Sequence, residues 1–455
     1  MKILKLFGTS GIRGKSNLEI TPKLAFRIGL TFAAFMENKG TILVGRDVRL
    51  TAKELSKEII SGGLEGGLNI EDCNVAPTPA ILWALKKKKL DGAIVVTGSH
   101  APKDIIGFLF FLADTSEFSE DDALVFENLF YASNKKRYSD PKGRKTQIDI
   151  SDLYCDSVLE QVDVNKISSF DAKVVLDPGN GASANYCSKI FNKTNVKTKI
   201  INSIPDGLFP NRDPYPKPEN LGSLSIKVKE INANFGCATD GDGDRAIFVD
   251  NNGKILWGDI SASIFVRDIL QKFSGGVIVA PVNSSRLINY VCDNYNGRLH
   301  FSKIGPPAIV SSMKTENAVM GFEETGKNIW ADKILYGDWI LSIFKMIEII
   351  SEENSSLSNL INIFPKKFMR KLSFYCSNSL KKDVLDHAVK IISKSKDDVQ
   401  LITVDGLRIN YKDGSWLLFR PSGTESVFRL YAESDSEKRT ANLIVFGTRI
   451  IKQIL

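Results

Sequence analysis

The sequence predicts an α/β protein in which three related mixed α/β domains precede a smaller α+β C-terminal domain around a central cleft. Three segments carry this reading, each an apolar strand that meets a Gly/Pro/Asn loop and runs on into a helix. They begin at Thr41-Ile42-Leu43-Val44-Gly45, at Lys173-Val174-Val175-Leu176-Asp177-Pro178-Gly179 and at Gly276-Val277-Ile278-Val279-Ala280-Pro281. Unbroken Val/Ile/Leu runs suit strands buried on both faces of a sheet, with helices on either side. The last part differs, with strands expected at Leu401–Val404, Trp416–Phe419 and Phe428–Glu433 and helices at Lys381–Ser393 and Glu437–Ile454. A chain of 455 residues also exceeds what one core can organise and leaves room for a cleft. The expected domains are 1–147, 148–252, 253–367 and 368–455, joined by polar or basic stretches near Arg144–Ile150, Asn251–Lys254 and Phe364–Lys371.

Composition narrows the function. With 43% hydrophobic and 25% charged residues and no low-complexity run, the whole chain is expected to fold. A net charge of +7, spread out rather than interleaved with aromatics, suits a small anionic substrate and argues against nucleic acid. Lys86–Lys89 and Lys366-Lys367 read as solvated surface. The cysteines at 73, 155, 187, 237, 292 and 376 form no Cys-x-x-Cys pair and no zinc-ligand spacing, so free buried thiols are expected. Met1–Phe7 is too short for a signal-peptide core, and Trp339–Ile350 is interrupted by Lys345 and Glu348. These features point to a cytoplasmic protein that does not cross a membrane.

The strongest chemical signal is Asp240-Gly241-Asp242-Gly243-Asp244-Arg245 between the strand-like Asn234–Ala238 and Ala246–Val249. Alternating glycines allow a tight turn on which three carboxylates converge, a hard-oxygen set suited to Mg²⁺. An EF-hand is excluded because its sixth position is Arg245 and its twelfth Asn251. A dinucleotide fingerprint over Gly241, Gly243 and Ala246 would set three aspartates against the pyrophosphate. A P-loop at Gly321–Lys327 lacks the hydroxyl, because Asn328 takes its place, and Glu323 and Glu324 would oppose phosphate.

Three further loops follow apolar strands. Thr97-Gly98-Ser99-His100-Ala101-Pro102 places a serine and a histidine at a strand end. Adjacent side chains in an extended chain point apart, so His100 is expected to be poorly placed as a direct base for Ser99. Gly321-Phe322-Glu323-Glu324-Thr325-Gly326 presents carboxylates and a hydroxyl able to accept from and donate to a polyol. Arg420-Pro421-Ser422-Gly423-Thr424-Glu425, with Arg429 close behind, offers guanidinium, hydroxyl and backbone N–H groups to a phosphate dianion.

Together and in this order, these segments resemble the α-D-phosphohexomutase superfamily, which includes phosphoglucomutase, phosphomannomutase and phosphoglucosamine mutase. The resemblance spans the whole chain. It extends to Phe7-Gly8-Thr9-Ser10-Gly11-Ile12-Arg13-Gly14, Gly45-Arg46-Asp47-Val48-Arg49, Ala76-Pro77-Thr78-Pro79, Phe209–Pro214 and Pro218–Leu221. It implies an isomerase-class phosphotransferase that moves phosphate between the 1- and 6-positions of a hexose through a bound hexose 1,6-bisphosphate. Ser99 would be the phosphorylated serine and would complete a Mg²⁺ shell with Asp240, Asp242 and Asp244. Glu323 and Thr325 would bind sugar hydroxyls, while Lys303, Arg420, Ser422, Gly423, Thr424 and Arg429 would hold the non-reacting phosphate. Arg13 and Arg245 would lie near the reacting group.

Several positions depart from the family pattern. Ala101 replaces an asparagine, Ile106-Gly107-Phe108-Leu109 lacks the asparagine and the lysine that serves as general base, and Pro306 and Lys327 stand where some relatives carry histidine. His100 or Lys327 is then expected to move the hydroxyl proton. These losses motivate two alternatives: a catalytically weakened sugar-phosphate-binding relative, and a phosphatase or bisphosphate synthase using the same serine. Glucose, mannose and glucosamine phosphates all fit as substrates, and monomer and homodimer are equally open.

Overall fold

The computed structural model describes residues 6–132, 143–394, 398–423 and 425–455, and its chain divides into two compact units. The first comprises residues 1–265 and 325–360, and the second 266–324 and 361–455.

The first unit holds two mixed sheets. In one, the strands run in the order Ile12–Lys15, Ile105–Leu112, Gly92–Val96, Thr41–Arg46, Asn69–Val75 and Lys145–Gln147. The inner pairs are parallel, while Ile105–Leu112 returns antiparallel beside Gly92–Val96, with Val96 opposite Phe108. Gly92–Val96 is buried throughout, as its unbroken apolar run requires. The helix Pro22–Phe35 starts where Thr21 accepts from the Leu24 N–H and Pro22 needs no donor. It packs Ile28 and Phe32 into a core shared with Phe108, Phe110 and Phe126. The second sheet has the order Ile255–Leu256, Ile247–Asp250, Phe235–Ala238, Lys173–Asp177 and Lys197–Ile200. Phe235–Ala238 and Ile247–Asp250 are antiparallel, with Ala238 opposite Ile247, so residues 239–246 form a hairpin loop at the sheet end.

Trp339–Glu352 is a buried, largely apolar helix capped by Asp338. Asp338 also accepts from Trp83 at 3.0 Å and from the Tyr154 hydroxyl at 2.9 Å, and burial pushes its carboxyl up to about 6. Among the described residues, no helix is long and apolar enough to cross a membrane, and all six cysteines are free and buried.

The second unit contains a parallel set in the order Gly297–Ser302, Gly276–Pro281 and Met320–Phe322. It also contains an antiparallel sheet in the order Phe368–Tyr375, Val427–Ser434, Trp416–Pro421, Leu407–Tyr411 and Val399–Ile402. Helices Lys381–Lys394 and Glu437–Lys452 contribute Val384, Ala388, Leu443 and Ile451 to the core of this sheet. The strand expected at Leu401–Val404 lies instead at Val399–Ile402, because Gly406 (φ +95°) turns the chain just afterwards and draws residues 403–406 into the hairpin. Phe368–Tyr375 and Leu407–Tyr411 are strands that sequence patterning did not separate.

Candidate active site

The loop after Gly92–Val96 is held from beneath by Asp47 and Arg49. Asp47 accepts from the Thr97 hydroxyl at 2.8 Å and from the Gly98 N–H at 3.1 Å. Arg49 pairs with Asp47 at 3.1 Å and donates to the carbonyls of Ser99 (2.9 Å), Ala101 (2.7 Å) and Pro102 (2.7 Å). A Cβ on Gly98 would lie 2.3 Å from Arg49 Nε, so the guanidinium fits only beneath a glycine. Ser99 itself sits at φ +48°, a left-handed conformation that costs a serine free energy and persists only where its surroundings enforce it.

That conformation corrects the expectation for His100. The backbone at Ser99 is not extended, and the turn brings Ser99 Oγ and His100 Nδ1 to 3.2 Å. Burial lowers the His100 pKa well below its ordinary range, and Arg245, Arg13, Lys327 and Arg49 lower it further, so the imidazole is neutral.

Ser99 Oγ also donates to Asp240 Oδ2 at 2.8 Å. Asp240, Asp242 and Asp244 are all buried and each offers one oxygen within 4.8 Å of the others. The Thr78 hydroxyl donates to Asp242 Oδ2 at 2.8 Å, and Lys327 Nζ lies 2.9 Å from Asp244 Oδ2. Arg245 Nε lies 3.6 Å from Asp240 and 3.8 Å from Asp244. Gly243 (φ +81°) leaves no room for a side chain, because a Cβ there would lie 2.1 Å from Ser183 Oγ.

Burial, followed by the neighbouring carboxylates, raises the Asp242 pKa well above the usual range and raises that of Asp244. Asp242 Oδ1 and Asp244 Oδ1 are buried without a hydrogen-bond partner among the described residues. Acceptor-only oxygens converging in a dry loop fit a hard divalent cation, which would satisfy them and offset the repulsion.

The surrounding shell contains residues that sequence reasoning missed. Tyr215 places its ring edge-on to His100 at 5.1 Å, with Arg245 5.1 Å from the ring centroid. Lys327 donates to the Tyr336 hydroxyl at 2.9 Å. The buried Glu117 accepts from the Ser10 hydroxyl at 2.6 Å, while its Oε2 has no hydrogen-bond partner among the described residues. Burial raises the Glu117 carboxyl to about 7 against the opposing pull of Lys327, Ser10 and Arg13. Only a polar run after an apolar strand, Asp114–Glu117, marked it in sequence. Arg13 lies opposite Gly107 on the edge strand Ile12–Lys15, and Ile106 and Leu109 are buried in the neighbouring strand.

The second unit gathers the anion-binding candidates. Arg420, at the end of Trp416–Pro421, lies opposite Arg429 in the antiparallel register. Asp405 accepts from Arg420 Nε at 2.9 Å and from the Ile304 N–H at 3.1 Å, tying the Lys303 loop to the arginine strand. Ser422 Oγ accepts from the Glu425 N–H at 3.1 Å, Arg429 pairs with Glu425, and a Cβ on Gly423 would meet nothing within 4 Å. Glu323 is buried beyond the strand Met320–Phe322, whereas Thr325 belongs to the first unit. Thr424 lies outside the described residues.

Four family models match the chain in order. They are phosphoglucomutase/phosphomannomutase α/β/α domain I at residues 4–136, domain II at 152–253, domain III at 257–368 and the C-terminal domain at 378–446. A phosphoglucomutase/phosphomannomutase of Thermococcus kodakarensis is 31% identical, with 99% of each chain covered. A phosphoglucosamine/phosphogalactosamine mutase of Sulfurisphaera tokodaii is 33% identical, with 97% of each covered. The crystal structure of a phosphoglucomutase/phosphomannomutase family protein of Burkholderia thailandensis superposes with a TM-score of 0.88 at 25% identity, covering 99% of this chain and 97% of that one.

Proposed function

The chain belongs to the phosphoglucomutase/phosphomannomutase family, and from that premise we propose that it interconverts hexose 1- and 6-phosphates through a phosphoserine at Ser99 and a bound hexose 1,6-bisphosphate. It is a phosphohexomutase, an intramolecular phosphotransferase of the isomerase class. The observation that carries the residue assignment is Ser99 Oγ lying 2.8 Å from one member of a buried carboxylate triad.

Asp240, Asp242 and Asp244 would hold Mg²⁺ together with the phosphate on Ser99. The cation would supply charge neutralisation to the transferring phosphoryl group. Lys303, Arg420, Ser422, the Gly423 backbone, Thr424 and Arg429 bind the non-reacting phosphate, and Glu323 and Thr325 bind sugar hydroxyls. The substrate hydroxyl oxygen attacks phosphorus as the Ser99 Oγ–P bond breaks, while Arg13 and Arg245 offset the spreading charge. The hydroxyl proton passes to His100, whose Nδ1 lies 3.2 Å from Ser99 Oγ and can hand it to the departing serine oxygen, the negative charge of the transferring phosphoryl group opposing the burial and cations that disfavour the imidazolium. Lys327, paired with Asp244 and donating to Tyr336, supports the metal loop instead of taking the proton. The bisphosphate then turns end for end and the second phosphoryl group returns to Ser99.

The serine loop belongs to domain 1–147, the metal loop to 148–252, the sugar loop to 253–367 and the phosphate loop to 368–455. The free, buried cysteines are in keeping with a cytoplasmic location, which belongs to this reading. Purified enzyme with Mg²⁺ is expected to carry phosphate on Ser99 by mass measurement and to convert glucose 1-phosphate, mannose 1-phosphate or glucosamine 1-phosphate to the 6-phosphate. A Ser99→Ala variant with undiminished turnover would refute the assignment.

A further inference from the structure

Two consecutive buried carboxylates follow the strand Met320–Phe322, with Glu323 8% and Glu324 7% exposed. Only the first is assigned to the sugar. A buried carboxylate is costly unless paired, and Glu324 is paired on both oxygens. Oε1 accepts from Asn283 Nδ2 at 2.7 Å, and Oε2 forms an ion pair with Lys371. The two partners come from different sheets of the same unit. Asn283 lies just beyond Gly276–Pro281, the strand parallel to Met320–Phe322. Lys371 stands on Phe368–Tyr375, opposite Tyr431, with its ammonium 5.6 Å from the Tyr431 ring centroid. Arg429 is two residues from Tyr431 on one strand and therefore shares its face, and Arg420 lies opposite Arg429.

Glu324 is thus fastened on one side to the sheet that carries the sugar-reading loop and on the other to the sheet that carries the phosphate-binding arginines. We propose that Glu324, through Asn283 and Lys371, is a specificity-determining positioning residue that fixes the spacing between Glu323 and the Arg420/Arg429 phosphate anchor, so that sugar hydroxyls are read at a set distance from the bound phosphate. The inference rests on the substrate-binding roles given under Proposed function. Ser99 and the aspartate triad lie in the other unit, so loosening this fastening weakens recognition more than chemistry.

The test is steady-state kinetics of the full chain with Mg²⁺ on glucose 1-phosphate, mannose 1-phosphate and glucosamine 1-phosphate, comparing wild type with Glu324→Gln, Lys371→Met and Lys371→Arg. Loss of one charge-assisted contact is expected to raise KM for the preferred sugar about tenfold. In the Gln and Met variants kcat stays within about twofold and the preference among sugars narrows, whereas Lys371→Arg keeps the wild-type KM. Unchanged KM and unchanged sugar preference in folded Glu324→Gln and Lys371→Met would overturn the inference alone. The same holds if the rise in KM comes with a matching fall in kcat and melting temperature and Lys371→Arg shows the same losses. A wild-type enzyme inert toward every sugar phosphate would overturn the underlying functional reading, and the inference with it.

Discussion

Replacing Arg49 by methionine removes the brace beneath the serine loop while keeping an apolar stem of similar length. The lost contacts are the ion pair to Asp47 and the hydrogen bonds to the carbonyls of Ser99, Ala101 and Pro102, all from a guanidinium that is 2% exposed. Charge-assisted hydrogen bonds contribute roughly 1.5–3 kcal/mol each, but they are not additive within one group. The governing quantity is the cost of breaking a buried pair while leaving Asp47 charged, roughly 3–5 kcal/mol. Asp47 still accepts from Thr97 and Gly98, which favours the lower end. Urea unfolding of Arg49→Met should therefore show a loss of about 3 kcal/mol. Ser99 would also relax from its left-handed conformation, and a displacement of about 1 Å at a reacting atom costs on the order of 100-fold in turnover. Rapid-quench transfer of phosphate from Ser99, at a temperature where both proteins are folded, reads that second effect. A variant that loses less than about 1 kcal/mol and transfers phosphate at the wild-type rate would refute the claim that Arg49 shapes this loop.

Three further outcomes follow from the site. Gly243→Ala places a Cβ 2.1 Å from Ser183 Oγ at φ +81°, so calorimetric Mn²⁺ affinity should fall at least tenfold and thermal stability should drop by about 2 kcal/mol; wild-type affinity would refute the packing argument. Raising the Glu117 carboxyl from its ordinary 4.5 to about 7 means that the folded chain binds this proton more tightly than the unfolded chain. The resulting stabilisation is complete below about pH 4.5, disappears as pH rises through 7, and amounts to on the order of 3 kcal/mol. Glu117→Gln should flatten that part of the urea-midpoint profile in EDTA, and an unchanged profile would count against it. Because the raised Asp242 and Asp244 must ionise to bind a cation, Mg²⁺ at 100 times its Kd should stabilise the protein by about 2.7 kcal/mol near neutrality and by less as pH falls, as read by melting temperature; equal stabilisation at acidic pH would refute this.

The metal loop was legible because its information is local: Asp-Gly alternation between apolar strands determines both the turn and the convergence of three carboxylates. The buried strands Thr41–Arg46 and Gly92–Val96 were legible for the same reason. Ser99 and His100 misled because sequence spacing assumes an extended backbone, whereas Arg49, fifty residues upstream, stabilises the left-handed turn. Glu117 was hidden because its meaning comes from Ser10, distant along the chain, and from burial that no polar residue advertises. Tyr215, between prolines, gave no sign that it would stand between His100 and Arg245. Phe368–Tyr375 escaped notice because Arg370, Lys371 and Ser373 break its apolar alternation on an exposed edge.

The left-handed backbone at Ser99 has an evolutionary consequence. Glycine adopts that conformation without strain, so Ser99→Gly would relieve the local backbone strain while losing both the hydrogen bond to Asp240 and the phosphate acceptor. At this position the residue that the backbone itself favours is one that cannot work. Turnover therefore holds a serine where the local backbone alone would favour glycine.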